Sequence, residues 1–194
     1  MHRYWHHDQA KRRWLRRGIT TGVLMCLLVS LGTTGAAADD VMVRDAGAPV
    51  RLKIPAINVD APIEDVGLTP DGAMDTPKDF HDTAWYQLGP RPGEQGNAVI
   101  AGHVDRVGGE AVFWDLRQLT PGDEIIVISD DGITHHFAVT GLQKYALDTA
   151  PLTEIFGSTD GIHLNLVTCD AQSPFDRASG KYGGHVLVRA DAIP

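Results

Sequence analysis

From residue 51 onward the apolar residues of this chain come in short runs, and turn-forming residues punctuate the gaps between them. The runs are Arg51–Ile57, Asn97–Val104, Glu124–Ser129, His136–Ala146, Ile162–Cys169 and His185–Ala190, several of them rich in Val, Ile and Thr. β-branched side chains suit a pleated, half-buried surface, so these runs are expected to be strands. With 21 glycines and 11 prolines in 194 residues, the chain has enough breakers to end each run with a turn. Asp130-Asp131-Gly132, between two of the runs, has hairpin chemistry. Helical signals are weak and local, near Ala111–Gln118 and Pro151–Phe156. Regularly spaced strands without long intervening helices point to an all-β sandwich or closed barrel, and closure also removes exposed strand edges. Residues 51–194 are long enough to bury a core without disulfide staples.

The first 50 residues have a different character. Residues 1–17 carry six basic side chains and one acidic, and from Gly18 to Ala38 there is no charge at all. Crossing a bilayer core of about 30 Å takes roughly 20 residues of helix, so residues 18–38 fit a transmembrane signal anchor. Positive charge on the near side predicts a cytoplasmic N-terminus at residues 1–17, a linker at 39–50 and an extracellular domain at 51–194. A cleaved signal peptide ending at Ala36-Ala37-Ala38 is the competing expectation, and it exports the same domain. The formal net charge of −8 includes that basic N-terminus, so the remainder is more acidic still. Such a surface argues against nucleic acid as a partner and keeps an exported domain soluble.

Of the two cysteines, Cys26 lies in the uncharged stretch, which leaves Cys169 without an internal disulfide partner. An unpaired cysteine in an exported chain is either a reactive thiol or a crosslinking site, unless it is a small buried hydrophobe at a strand end. A thiol nucleophile needs a base or cation beside it. Among the six histidines of the exported region, His103 has the most telling context. It ends the run Asn97-Ala98-Val99-Ile100-Ala101-Gly102, where a buried strand gives way to a loop, and Gly102 leaves room for a backbone or substrate to approach. His135 and His136 point to opposite faces of a strand, His81 lies in a polar stretch, and His163 sits on the face opposite Leu164 and Leu166. No metal-ligand spacing occurs, so no metal or other cofactor is expected.

Leu52-Lys53-Ile54-Pro55, Ala101-Gly102-His103 and Leu166-Val167-Thr168-Cys169-Asp170, in that order behind an N-terminal anchor, resemble the sortases, the membrane-anchored cysteine transpeptidases of Gram-positive bacteria. Gly102-His103-Val104-Asp105, Val112-Phe113-Trp114-Asp115-Leu116 and Pro121-Gly122-Asp123 look most like the actinobacterial class F group. The resemblance implies an eight-stranded sortase-type β-barrel with short helices. It further implies Cys169 as nucleophile, His103 as general acid/base, and Ala101 and Thr168 flanking the substrate groove. The implied reaction cleaves an LPXTG-type sorting signal through an acyl-thioester. The acyl group then passes to an amine on a lipid-linked peptidoglycan precursor or a pilin lysine. Sortases also place an arginine at the start of the last strand, where this chain has Tyr182-Gly183-Gly184-His185. Arg177, in the loop Ser173–Gly180, is the expected third catalytic group, with His185 as an alternative donor; Arg189 is expected to snorkel at a barrel rim. Three other classes fit the same residues: an exported cysteine peptidase, a degenerate peptide-binding barrel, and a structural barrel.

Overall fold

The structure, a computed structural model, describes residues 46–194. The expected cytoplasmic segment 1–17, anchor 18–38 and most of the linker 39–50 lie outside the described residues. Twelve strands follow in chain order: β1 Pro49–Ile54, β2 Val59–Val66, β3 Thr83–Tyr86, β4 Gly96–Gly102, β5 Asp105–Arg106, β6 Gly109–Glu110, β7 Glu124–Ser129, β8 Thr134–Ala146, β9 Ile162–Cys169, β10 Phe175–Asp176, β11 Lys181–Tyr182 and β12 Gly184–Ile193. One α-helix, α1 Leu152–Phe156, and three short 3-10 helices complete the list. Eight of the strands close a barrel in the order β1-β2-β3-β4-β9-β12-β8-β7, while β5–β6 and β10–β11 form two small hairpins.

Alternation along each strand sorts the side chains into two environments. Ala98 and Ile100 of β4, Leu164 and Leu166 of β9, and Val186 and Val188 of β12 face inward, where they pack with Leu52, Ile54, Trp85 and Phe137. Burying each large aliphatic or aromatic side chain contributes about 1.5–3 kcal/mol, and this interior is the main source of stability. Between them, Val99, Val167 and Leu187 face outward and meet Ile155 of α1, which lies over this face of the barrel. Asn97 and Asn165 fix the helix there: Asn165 Nδ2 donates to the Ile155 carbonyl at 2.9 Å, and Asn97 Nδ2 to that of Gly157 at 2.9 Å.

Most strand pairs are antiparallel, but β2–β3 and β4–β9 are parallel. The parallel pair governs the site. Parallel neighbours end at the same edge of a sheet, so residues that follow their C-termini converge although far apart in sequence. Ala101 pairs with Val167, and the Thr168 hydroxyl donates to the Gly102 carbonyl at 2.8 Å across 66 residues of chain. The space at Gly102 is filled by the protein itself. A Cβ there would meet Phe113 at 2.6 Å, so the residue permits core packing rather than the approach of a substrate.

Candidate active site

Two positions beyond the Ala101–Val167 pair stand His103 and Cys169, side by side at the ends of β4 and β9. Neighbouring strands lie about 4.8 Å apart, so the two residues occupy adjacent places on the barrel's outer face. On the other side of Cys169, β12 runs antiparallel and puts His185 directly opposite it; His185 in turn pairs with Tyr145 of β8. The row His103, Cys169, His185, Tyr145 therefore crosses four strands, and all four line one cavity of about 230 Å³.

The walls of that cavity are mostly apolar. Leu152, Ile155 and Phe156 of α1 close one side, and Ala73–Thr76 of the β2–β3 connection close the other. That connection folds back on itself, with Thr69 N–H donating to the Ala73 carbonyl at 2.8 Å and Asp75 N–H to Gly67 at 3.0 Å. Tyr145 at the end of β8, then Leu147 and Ala150 between β8 and α1, continue the α1 side of the frame. The wall at Ala73–Thr76 has no counterpart in the sequence signals. Ala101 and Thr168 also line the cavity, although the Thr168 hydroxyl is engaged with Gly102.

His103 is held by its neighbours rather than by Cys169. Its Nε2 lies 3.0 Å from the carbonyl oxygen of buried Pro77, and Phe80 packs against its ring at 4.8 Å between centroids. A carbonyl only accepts, so Nε2 carries the hydrogen and Nδ1 is left free to take or give a proton. The thiol of Cys169 is pushed above its usual range, first by burial and then by the negative charge of Asp105, with Lys181 opposing. Burial likewise pushes Tyr145 up to about 12 and lowers His185. At rest, then, Cys169 is a protonated thiol beside an unprotonated His185.

No arginine lines the cavity among the described residues. Arg177 is exposed in the turn between β10 and β11. That hairpin is tied down elsewhere: the Tyr182 hydroxyl donates to Asp105 at 2.5 Å, and Gly183 N–H donates to Pro174 at 2.8 Å. The fold thus keeps Arg177 out of the cavity instead of folding it over the sulfur. Arg189 does not snorkel at a rim either; it points from the outer face of β12 to Glu154 of α1, with Gln143 at 3.2 Å. Of the residues expected at the site, Cys169, His103, Ala101, Thr168 and the alternative donor His185 come together, and Arg177 does not.

Known proteins give the same picture of the fold. No curated protein sequence matches this one. Among solved structures, sortase A from Corynebacterium diphtheriae superposes with a TM-score of 0.59 at 20% identity, over 77% of this chain and 62% of that one. Sortase C-1 from Actinomyces oris gives 0.58 at 22% identity, over 75% and 71%. Sortase C1 of Streptococcus agalactiae, in complex with MTSET, gives 0.57 at 23%, over 75% and 67%. At these identities the likeness is one of fold, and the chain spans under two thirds of the length of the Corynebacterium protein. The sequence itself matches the sortase domain family over residues 52–193, from β1 through the last strand of the barrel, and the chain belongs to that family.

Proposed function

We propose that this chain is a cysteine transpeptidase of the class F type, tethered to the outer face of the cell membrane by residues 18–38. It cleaves an LPXTG-like sorting signal and joins the new acyl end to an amine. One observation carries the proposal: Cys169 and His103, from two distant segments, line the same apolar cavity at neighbouring positions of paired strands. An apolar groove suits an extended peptide with aliphatic residues ahead of the scissile bond. The class F assignment leans on Val112-Phe113-Trp114-Asp115-Leu116 and Pro121-Gly122-Asp123. The tether leans on the uncharged run Gly18–Ala38 behind its basic flank.

The chemistry follows from the resting protonation. As Cys169 Sγ attacks the carbonyl carbon, its proton passes to His103 Nδ1 and the carbonyl electron pair moves onto oxygen. Collapse of that intermediate breaks the C–N bond, and the departing amine takes the proton from His103. The resulting thioester is then attacked by a second amine, whose proton goes back to His103 and on to the leaving sulfur. Tethering raises the local concentration of other membrane-bound amines, such as a lipid-linked cell-wall precursor or a pilin lysine, and so favours aminolysis over hydrolysis.

The test is mass spectrometry of a labelled sorting peptide incubated with the protein, with and without an amine acceptor. Expected are a covalent acyl-enzyme at Cys169, a ligated product when amine is supplied, and loss of both in Cys169→Ala. A free carboxylate product that excess amine does not divert identifies a peptidase instead. Absence of any adduct identifies a peptide-binding barrel.

A further inference from the structure

Attack by Cys169 on a carbonyl leaves negative charge on the oxygen, which needs a hydrogen-bond donor close to the sulfur. Among the described residues, no lysine or arginine lines the cavity. Lys144 is bound to Gln172 at 2.6 Å and Asp170 at 3.5 Å, and Lys181 is exposed on β11. Of the hydroxyl and ring N–H groups that do line it, Thr168 is engaged with Gly102 and His103 with Pro77, which leaves Thr76, Tyr145 and His185. Of these three, His185 is the one paired directly with Cys169. Its ring stacks on Tyr145, with centroids 5.7 Å apart and planes at 28°, and neither ring nitrogen has a hydrogen-bond partner among the described residues.

We propose that the His185 imidazole N–H is the donor that holds the oxyanion formed when Cys169 attacks a carbonyl. Position supports this: partners directly opposite on antiparallel strands project to the same face, with Cβ atoms about 4.5–5.5 Å apart. Stacking on Tyr145 fixes the ring plane, so the donor is oriented before the substrate arrives. Burial lowers the proton affinity of His185 and keeps the ring neutral near pH 7, where one of its nitrogens carries hydrogen. The S–C bond forms, the carbonyl pair moves to oxygen, and His185 donates without giving up its proton. When the intermediate collapses the pair returns and the hydrogen bond relaxes. His103 handles every proton that is transferred.

The assignment rests on the acyl-transfer chemistry proposed above, but its test needs no peptide. Two small probes report on Cys169 in the purified protein. p-Nitrophenyl acetate acylates the sulfur through a tetrahedral oxyanion, and iodoacetamide alkylates it at a saturated carbon with no oxyanion. His185→Met and His185→Gln are both unbranched, and only the glutamine carries a donor. His185→Met is expected to slow acylation at least about tenfold, since removing one oxyanion donor typically costs up to about 10²–10³-fold. Its alkylation rate stays that of the wild type, and His185→Gln keeps most of the acylation rate. Equal acylation by His185→Met and wild type overturns the assignment. So does a parallel fall in both reactions, which is what a purely structural role produces. A larger acylation loss in Tyr145→Phe or Arg177→Ala moves the donor to that residue, and a wild-type thiol that alkylates but never acylates excludes any donor there. Failure of peptide ligation bears on the proposed function alone, because neither probe is a peptide.

Discussion

Helix α1 divides the outer face of β4, β9, β12 and β8 into two clefts, and the same four strands treat polar side chains oppositely on its two sides. On one side lies a polar cleft of about 410 Å³ containing Asn165, His163, Asp191, Glu154 and Arg189. Nearly every polar group there is engaged. Asn165 holds a carbonyl of α1, Arg189 holds Glu154, and His163 lies between Asp191 and the Asp160 carbonyl, each at 2.7 Å; Arg189 Nε alone is buried without a partner. On the other side, in the apolar groove, the Cys169 thiol, the His185 ring and one nitrogen of His103 have no protein partner among the described residues. These three groups are half-buried and line the groove, where an entering substrate can reach them. The polar cleft therefore reads as architecture and the groove as chemistry.

The contrast breaks most visibly at His103. His103→Ala is expected to lower the rate of peptide ligation by about 10²–10⁴-fold, the usual worth of a positioned acid–base group. Its melting temperature is expected to change little, since the ring is half-buried and makes one hydrogen bond to the protein. If ligation persists at the wild-type rate while thermal stability drops, His103 belongs with the architectural residues and the division fails.

How far this division could be read from residues alone differs between fold and site. Glu124–Ser129 and Ile162–Cys169 fall on β7 and β9 with no change of boundary, because each is a compact apolar run with clear turn chemistry at its end. Asp130-Asp131-Gly132 is the expected hairpin, with Gly132 at a φ of 81°. β2 left no such mark, since Asp60, Pro62, Glu64 and Asp65 interrupt its pattern, and β3 has only four residues. Cys169 and His103 were legible as strand-end residues with unusual chemistry. His185 and Arg177 were harder. Which of them faces the sulfur depends on the β9–β12 register and on the side chains that pin the β10–β11 hairpin, and a slip of one residue would have turned His185 away.

A smaller effect is expected at Asn165, which is buried and anchors α1 from β9. Asn165→Ala leaves the Ile155 carbonyl without its donor and is expected to cost about 1–3 kcal/mol, read as a lower melting temperature. Because α1 forms a wall of the groove, KM for the peptide should rise in the same variant while kcat holds. A variant that loses kcat with no loss of stability would place Asn165 on the chemical side.

The smallest effect is a pH dependence at His163, and it tests whether the polar cleft is electrostatically complete. Both ring nitrogens of His163 face acceptors, so the ring is fully satisfied only when both carry hydrogen. The Asp160 carbonyl first, and then the Asp191 carboxylate, raise its pKa above the usual 6.5. A folded-state pKa above the unfolded one means that protonation stabilises the fold. The contribution is complete below about pH 6.5 and is lost as pH rises through the raised folded value. Asp191 is more than half exposed, so solvent screening limits the pair to about 0.2–1 kcal/mol. The difference in melting temperature between wild type and His163→Gln should therefore be largest near pH 5.5 and shrink by pH 8.5. A difference that stays constant across that range shows that His163 contributes packing alone, and the polar cleft then holds its helix through the two asparagines and the Arg189–Glu154 pair.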